Sequence, residues 1–262
     1  MLSVHLFPAP RMKLVSTALF GASLLATTAA SAQATFSLGL RGGANRATTT
    51  LDEAANSTGG YPLSYSAEKS ALYAWQAGLV LEARFGKLAF QPALLFSQKG
   101  EKLHAFSSAS GFAGYYVRET TSTNRYNWLE LPLNVVYTLQ GDHGLQIFAG
   151  PYVAAAVGGR QRGTELGYSN NWSPRPYDLY SADLNRPIDY SSDGSNKRWD
   201  TGFNFGVGYR QGPLQVQLAY GLGLINLHRQ MSYSHYDQSG TFNTDPAYNR
   251  VAQLTATYFV SR

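Results

Sequence analysis

The sequence predicts an all-β fold, an eight-stranded antiparallel up-and-down barrel, and three observations carry this prediction. Eight segments alternate apolar residues with polar or very small ones, which is the period-two pattern of β-strands. The connections between the segments are alternately long and short. The apolar faces carry aromatic residues about one membrane thickness apart. The first observation predicts the strands, and the second predicts the order in which they follow one another around the barrel. The third predicts that the barrel crosses a membrane.

The first 32 residues have the composition of a secretory signal peptide. Two basic residues precede an apolar run from residue 14 to 28, and Ala30-Ser31-Ala32 supplies the small residues that signal peptidase requires. We expect cleavage after this triplet, so that residues 33–262 form one mature domain. No other stretch approaches the ~20 apolar residues of a membrane-spanning helix, so a mature chain that enters a membrane does so as a closed barrel.

Charge and cysteine content exclude several classes of protein. The chain has no cysteine, which rules out disulfides and thiol-bound metals. Without Arg11 and Lys13 of the predicted signal peptide, 19 basic residues stand against 16 acidic ones, a net charge of +3. Nucleic-acid-binding proteins cluster far more positive charge on one face, so we expect no nucleic-acid partner.

The first three strands follow from alternation on either side of one tight turn. Strand one is predicted over residues 35–45, where four apolar side chains alternate with polar and small ones. Strand two covers residues 75–85 and ends in a turn at 86–87. Strand three follows over residues 88–97, although Pro92 weakens it, because proline cannot donate a hydrogen bond to the ladder.

The remaining strands repeat this pattern. Strand four is predicted over residues 128–138, and strand five over 145–155 after a turn. Strands six and seven form the clearest hairpin, residues 199–222, in which five apolar side chains on each strand oppose glycine, asparagine, glutamine and arginine. Strand eight is predicted over residues 253–260.

The lengths of the connections alternate strictly. Long connections follow strands one, three, five and seven, and short turns follow strands two, four and six. The connection at 157–198 is rich in Tyr, Asn and Ser, and we expect a mobile surface loop that buries no core. Short turns at one end and long loops at the other are typical of outer-membrane barrels.

Aromatic spacing favours a membrane barrel over a soluble sandwich or a lipocalin-like barrel. Trp75 and Phe85 lie ten residues apart on one face of strand two, and Trp199 and Tyr209 ten apart on one face of strand six. At ~3.4 Å per residue and a tilt of about 40°, ten residues climb roughly 26 Å, close to the ~25 Å apolar band of such barrels. Tyr137 lies at the end of strand four, on its apolar face. We therefore expect these five residues to form an aromatic girdle, with glycines facing a narrow lumen.

Several stretches resemble a known family. The chain is similar to the outer-membrane β-barrel proteins of Bacteroidetes-type, hence Gram-negative, bacteria, often called PorT-like. The resemblance spans the mature chain in order and rests on Gly39-Leu40-Arg41-Gly42-Gly43-Ala44-Asn45, Gln91-Pro92-Ala93-Leu94-Leu95-Phe96-Ser97-Gln98-Lys99-Gly100, Leu129-Glu130-Leu131-Pro132-Leu133, Gly150-Pro151-Tyr152, Gly206-Val207-Gly208-Tyr209 and Tyr220-Gly221-Leu222-Gly223-Leu224-Ile225-Asn226-Leu227. It implies the fold and an outer-membrane location, with no activity attached.

The lumen of an eight-stranded barrel is filled by side chains, so we expect no open pore. Five charged residues have inward parity: Arg41, Glu82, Arg84, Lys99 and Glu130. Because buried charges need partners, we predict a network in which inward arginines bond Glu82 and Glu130. A narrow gated channel remains the alternative.

No set of residues predicts catalysis, a cofactor or a metal. The histidines at 104, 143, 228 and 235 lie in predicted loops and turns without metal-ligand spacing. A lipid enzyme or protease of the outer membrane is therefore the less favoured alternative.

The long connections are rich in aromatic residues among Ser, Asn, Asp and Gly, a composition that suits recognition surfaces. The aromatic residues are Tyr61, Tyr65, Tyr115, Tyr116, Tyr168, Trp172, Tyr177, Tyr180, Tyr190, Tyr233 and Tyr236. We predict a non-enzymatic structural or surface-binding protein. Its expected partners are membrane lipid, the outer-membrane assembly machinery, and an extracellular ligand or a secretion component.

Overall fold

The structure is a computed structural model that describes residues 34–50, 63–111, 114–170, 178–191, 194–229, 231–235, 238–242 and 246–261. The predicted signal peptide at residues 1–32 lies outside the described residues. Within the described ranges there is no helix long and apolar enough to span a membrane.

The described chain forms eleven strands. They are β1 (Thr35–Thr49), β2 (Leu63–Phe85), β3 (Leu88–Gly111), β4 (Gly114–Thr138), β5 (Gly144–Asn170), β6 (Asp178–Pro187), β7 (Trp199–Gln211), β8 (Leu214–Gly223), β9 (Met231–His235), β10 (Gln238–Phe242) and β11 (Asn249–Ser261).

Eight of these strands close an antiparallel ring in chain order. The ring runs β1, β2, β3, β4, β5, β7, β8 and β11, and β11 pairs back with β1. The predicted eight-stranded up-and-down barrel is therefore confirmed. Strands β2, β4 and β7 pass into β3, β5 and β8 through connections of two to five residues, and Gly86 and Gly212 take positive φ in two of them. We call this the short-turn end and the opposite one the long-loop end.

Apolar side chains of the ring point outward and polar or small ones point inward. Phe36, for example, is 72% exposed, whereas its neighbour Ser37 is buried. The same alternation continues through β7, where Phe203 and Phe205 are exposed and Asn204 is buried. A soluble protein would place these apolar side chains in its core. The exposed apolar outer surface of the barrel is therefore the surface that faces lipid.

The strands are longer than the sequence predicts, and two predicted loops are wrong. The predicted connection at 101–123 consists largely of the ends of β3 and β4, which pair up to Gly111 and Gly114. Much of the 157–198 connection is likewise paired, as the end of β5 against β6. These segments expose polar residues on both faces, so no apolar periodicity marks them as strands.

Strand ends on one side of the ring form a five-stranded sheet beyond the barrel, which we call the projecting wall. It consists of residues 63–71, 101–111, 114–125, 159–170 and 178–187, in the order β2, β3, β4, β5, β6. In the part of the chain that the structure describes, its two edge segments pair on one side only. Among the described strands, those of the projecting wall therefore rise above the mouth of the barrel.

Prolines interrupt the ladder without ending the strands. Paired positions are missing between β2 and β3 beside Pro92, between β3 and β4 beside Pro132, and between β4 and β5 beside Pro151. Each proline lacks the N–H that its neighbour strand needs. Strand three nevertheless continues through Pro92, because pairing resumes on either side of the gap.

Candidate functional site

A cluster of charged residues fills the lumen near the short-turn end. Arg210 Nη1 donates to both carboxylate oxygens of Glu82, at 2.9 and 2.7 Å, and Arg84 donates to the same carboxylate at 3.3 and 3.2 Å. Gln91 Nε2 adds a hydrogen bond of 2.6 Å, and the guanidinium of Arg210 lies 4.4 Å from the ring centre of Phe259. The buried carboxylate is thus fully bonded.

A second cluster occupies the middle of the lumen. Lys99 Nζ lies 2.5 Å from Glu130 Oε2, both side chains are 1% exposed, and the ammonium lies 4.6 Å from the ring centre of Tyr152. The Tyr152 hydroxyl donates to Asp200 Oδ2 at 2.9 Å, and Asn249 Nδ2 donates to the same oxygen at 2.7 Å. Lys99 therefore pairs with Glu130 of the neighbouring strand, and Tyr152 connects this pair to Asp200 on β7.

The expectation that an arginine bonds Glu130 is wrong. Its partner is Lys99, which lies two inward positions beyond Leu95, the register partner of Glu130 on β3. The long lysine stem spans that separation. Arg41 contacts neither glutamate, and its Nε donates to Thr257 Oγ1 at 2.8 Å on β11.

The structure thus divides the five predicted lumen residues. Glu82 and Arg84 lie in the lower cluster, Lys99 and Glu130 in the central one, and Arg41 in neither. The sequence analysis missed five polar side chains of the clusters: Gln91, Tyr152, Asp200 and Arg210, whose parity marks them as inward, and Asn249, which lies in a predicted loop.

The upper lumen is closed by apolar packing. Trp128, 1% exposed, packs with Tyr126, Tyr152, Ala154, Ala156, Leu227 and Ala247. Ile188 and Tyr190, which lie between β6 and β7, pack against this group. The prediction that residues 157–198 bury no core is therefore wrong at these two positions. Below the cap, the cavity beside Arg41 and Glu130 measures about 10 Å³, room for about one water molecule.

The five predicted girdle residues project outward. Phe85, Tyr137 and Tyr209 lie at the short-turn end, next to the turns. Trp75 and Trp199 lie toward the long-loop end, and Trp75 packs on Phe96 with ring centres 5.3 Å apart. Because β2 continues to Leu63, Trp75 lies within its strand and not at its end as the sequence predicts.

A polar cluster covers the inner face of the projecting wall. Arg118 Nε lies 3.3 Å from Glu165 Oε1, and the Tyr180 hydroxyl donates to the same oxygen at 3.2 Å. The hydroxyls of Tyr116 and Tyr180 are 3.4 Å apart. Desolvation, followed by the bond to Tyr180, raises the pKa of Tyr116 above its ordinary value. The ring of Tyr180 lies where a Cβ at Gly167 would stand, so a side chain at position 167 would displace the tyrosine ring from the cluster.

The remaining loop aromatics have varied placements. Tyr115 and Tyr168 pair edge to face on the outer side of the wall, with ring centres 6.3 Å apart. The other predicted recognition residues lie outside the described side chains: Tyr61, Tyr65, Trp172, Tyr177, Tyr233 and Tyr236.

The histidines lie apart from one another. His104 Nε2 is 2.9 Å from Glu119 Oε1 on the wall, and His143 Nδ1 is 2.6 Å from Asp142 Oδ1 in a turn. His228 forms an isolated bridge with Asn196 at the rim, and His235 lies in β9. Among the described residues no three potential metal ligands converge.

Comparison with known proteins adds the family. A search of solved structures finds Neisserial surface protein A at 9% identity, covering 86% of this chain and 98% of that chain with a TM-score of 0.35. It also finds the translocator domain of the autotransporter NalP from Neisseria meningitidis (10% identity, 94% and 96% coverage, TM-score 0.21) and the outer membrane protease OmpT from Escherichia coli (9%, 87% and 96%, 0.23).

No curated protein matches the sequence. The family model of the outer membrane protein beta-barrel domain matches residues 29–229, more than half of the chain. The chain therefore belongs to the outer membrane protein beta-barrel domain family, and its location is the outer membrane.

Proposed function

We propose that this protein is a non-enzymatic outer-membrane barrel, closed to diffusion, that binds a surface partner through its projecting wall. The observation that carries the proposal is the combination of a filled lumen with a wall that rises beyond the ring. The barrel anchors the wall, and the wall presents the binding face. The predicted signal peptide and the outer-membrane assembly machinery provide the route to this location.

The filled lumen supports a closed barrel. Glu82 is held by Arg210 from across the lumen, Glu130 is held by Lys99 of the neighbouring strand, and Trp128 covers the lumen above them. Opening a path would break ion pairs inside a medium of low dielectric, at a cost of several kcal/mol for each charge left buried without its partner. The cavity beside Arg41 and Glu130, about 10 Å³, is far smaller than a solute path needs.

The wall supports a binding role because its backbone is ordered by pairing while its side chains remain available. Tyr116, Arg118, Glu165 and Tyr180 form one cluster on the face above the barrel mouth. Tyrosine supplies contact area and a hydroxyl at small entropic cost, and the neighbouring charges add directional hydrogen bonds. A partner with aromatic or sugar surfaces and hydroxyl groups fits this cluster.

Trimming the wall is expected to abolish partner binding and leave the barrel intact. His104 and Thr121 are register partners, as are Thr164 and Asp183, so an Asn-Gly turn can close each hairpin at that level. The trimmed protein should keep heat-modifiable gel migration. Cells that display it should lose the binding to glycan arrays or immobilised surface proteins that the full-length protein confers.

Two point variants test the face that binds. Arg118→Ala/Tyr180→Ala removes the inner cluster, and the matched His104→Ala/Glu119→Ala removes a hydrogen-bonded histidine–glutamate pair from the outer face of the same wall. We expect the first to lose binding and the second to retain it. Undiminished binding by the trimmed protein would refute the proposal.

A narrow gated channel is the second candidate, favoured by the column of Glu130, Lys99 and Asp200 across the lumen. Glu101, also buried, accepts hydrogen bonds only from neutral groups of Asn124 and Tyr126 among the described residues.

Planar-bilayer recording separates the closed barrel from the gated channel. The closed barrel should give no sustained current, whereas a steady current that Glu130→Ala abolishes would favour the channel. The PorT-like resemblance keeps a secretion-associated role open as a further proposal.

A further inference from the structure

Four cations form a cluster on the outer face of the wall, which we call the basic cluster: Lys102, Arg125, Arg160 and Arg162. Strand register places them together, because Arg125 is the direct partner of Arg160, and Lys102 and Arg162 are both partners of Thr123. All four side chains are exposed. Their inward neighbours Glu101 and Asn124 are buried, so the cluster is on the side that faces away from the barrel axis.

The basic cluster lies just beyond the apolar band. Leu129 is an exposed apolar residue of β4. Arg125 lies two outward positions nearer the long-loop end of the same strand, with Asn127 between them. Four residues climb about 10 Å in a strand tilted by about 40°. Headgroups occupy roughly the 5–8 Å on each side of the hydrocarbon core. On β5, exposed Val157 is followed three residues later by Arg160. Both arginines therefore lie at headgroup level.

No acidic residue in the described part of the chain neutralises this cluster. Among the described residues, no carboxylate lies within ion-pair distance of the four cations, and Arg160 Nη1 donates to the neutral Asn185 Oδ1 at 2.8 Å. Like charges directly opposite each other on neighbouring strands are destabilising. An external anion between Arg125 and Arg160 would convert this repulsion into attraction, and guanidinium groups suit phosphate oxygens by charge and geometry.

Cations at the same level continue around the barrel, which argues for a lipid and not for a soluble anion at one point. Arg46 projects outward on β1 beside Tyr73, and exposed Arg198 directly precedes Trp199. At the short-turn end the corresponding outward positions hold Phe85, Tyr137 and Tyr209. The outward-projecting cations described above thus lie at the long-loop end, which faces the exterior in barrels of this type.

We propose that the basic cluster binds the phosphate groups of an anionic lipid in the outer leaflet. This interaction is separate from the partner binding proposed for the inner face of the wall. Arg125 and Arg160 hold the phosphate, and Lys102 and Arg162 add charge beside it. The lipid thereby fixes the depth and orientation of the wall in the membrane.

Binding of purified lipopolysaccharide that retains its lipid phosphates tests this proposal, with the mature chain refolded in a neutral detergent. Arg125→Ala/Arg160→Ala should weaken binding by about tenfold or more. Arg125→Lys/Arg160→Lys should retain most of it, because the charge remains. The matched control Lys87→Ala/Arg186→Ala removes two exposed charges elsewhere and should bind as the wild type does. Heat-modifiable migration verifies that each variant is folded.

Two further arms identify the lipid phosphate as the ligand. Enzymatically dephosphorylated lipopolysaccharide should bind as weakly as the intact lipid binds to Arg125→Ala/Arg160→Ala. Millimolar inorganic phosphate should not displace the intact lipid. The proposal is overturned by wild-type affinity in Arg125→Ala/Arg160→Ala, by equal loss in the control, by undiminished binding of the dephosphorylated lipid, or by full displacement with inorganic phosphate.

Discussion

Gly206→Val is expected to prevent assembly of the barrel. Gly206 faces inward on β7, and a Cβ there would overlap the carbonyl oxygen of Leu218 and lie 2.8 Å from the ring of Phe148. Because a backbone atom of the paired strand cannot withdraw without breaking the ladder, the cost exceeds the about 1–3 kcal/mol of ordinary overpacking. The readout is the fast-migrating folded form on unheated gels, which should be absent.

The matched control is Gly42→Val on β1. Gly42 faces outward, and a Cβ there meets nothing within 4 Å. Valine also suits a lipid-facing strand position. This variant should assemble like the wild type. If both variants assemble equally well, Gly206 does not face the crowded lumen, and the assignment of the inward face of β7 is wrong.

Lys99→Met is expected to produce the largest loss of stability among lumen substitutions. It leaves the carboxylate of Glu130 buried without its cation and removes the positive charge beside Asp200. Removal of one partner of a buried ion pair costs about 3–5 kcal/mol. The denaturant midpoint for unfolding of the refolded barrel, followed by gel migration or tryptophan fluorescence, measures this loss.

Lys99→Met/Glu130→Leu provides the control for electrostatics against packing. Replacing both members of a buried pair with apolar residues of similar size is often close to neutral. We therefore expect the double variant to recover most of the stability that the single variant loses. If the double variant is as unstable as Lys99→Met alone, the lysine acts through its packing and the ion-pair interpretation fails.

The ring could be predicted from the sequence because alternation there has a physical cause on both faces. Along β7, lipid requires the exposed Phe203, Phe205 and Val207, while a crowded lumen requires Gly206 and Gly208 between them. The projecting wall has no such pair of opposed environments. Ser107 and Ser108 on β3 are neighbours on opposite faces with the same chemistry, so the paired strand resembles a loop in sequence.

The lumen clusters were only partly predictable, because parity identifies the face of a residue but not its partner across the barrel. Glu82 and Arg84 share a strand and a face, so their contact follows from local spacing. The contact of Glu82 with Arg210 joins residues 128 positions apart, and it depends on how the ring closes. That closure is a property of all eight strands together, which no single strand sequence encodes.

The most direct test of the barrel assignment is a single-cysteine scan of residues 215–218 and 220 in β8 with spin labels, which the cysteine-free sequence makes straightforward. In lipid bilayers, labels at the outward positions Val216, Leu218 and Tyr220 should be accessible to oxygen and protected from a water-soluble nickel chelate. Labels at Gln215 and Gln217, which face a filled lumen, should be protected from both. Chelate access at the outward positions, or the absence of a two-residue period, would contradict a lipid-facing apolar surface around a closed lumen.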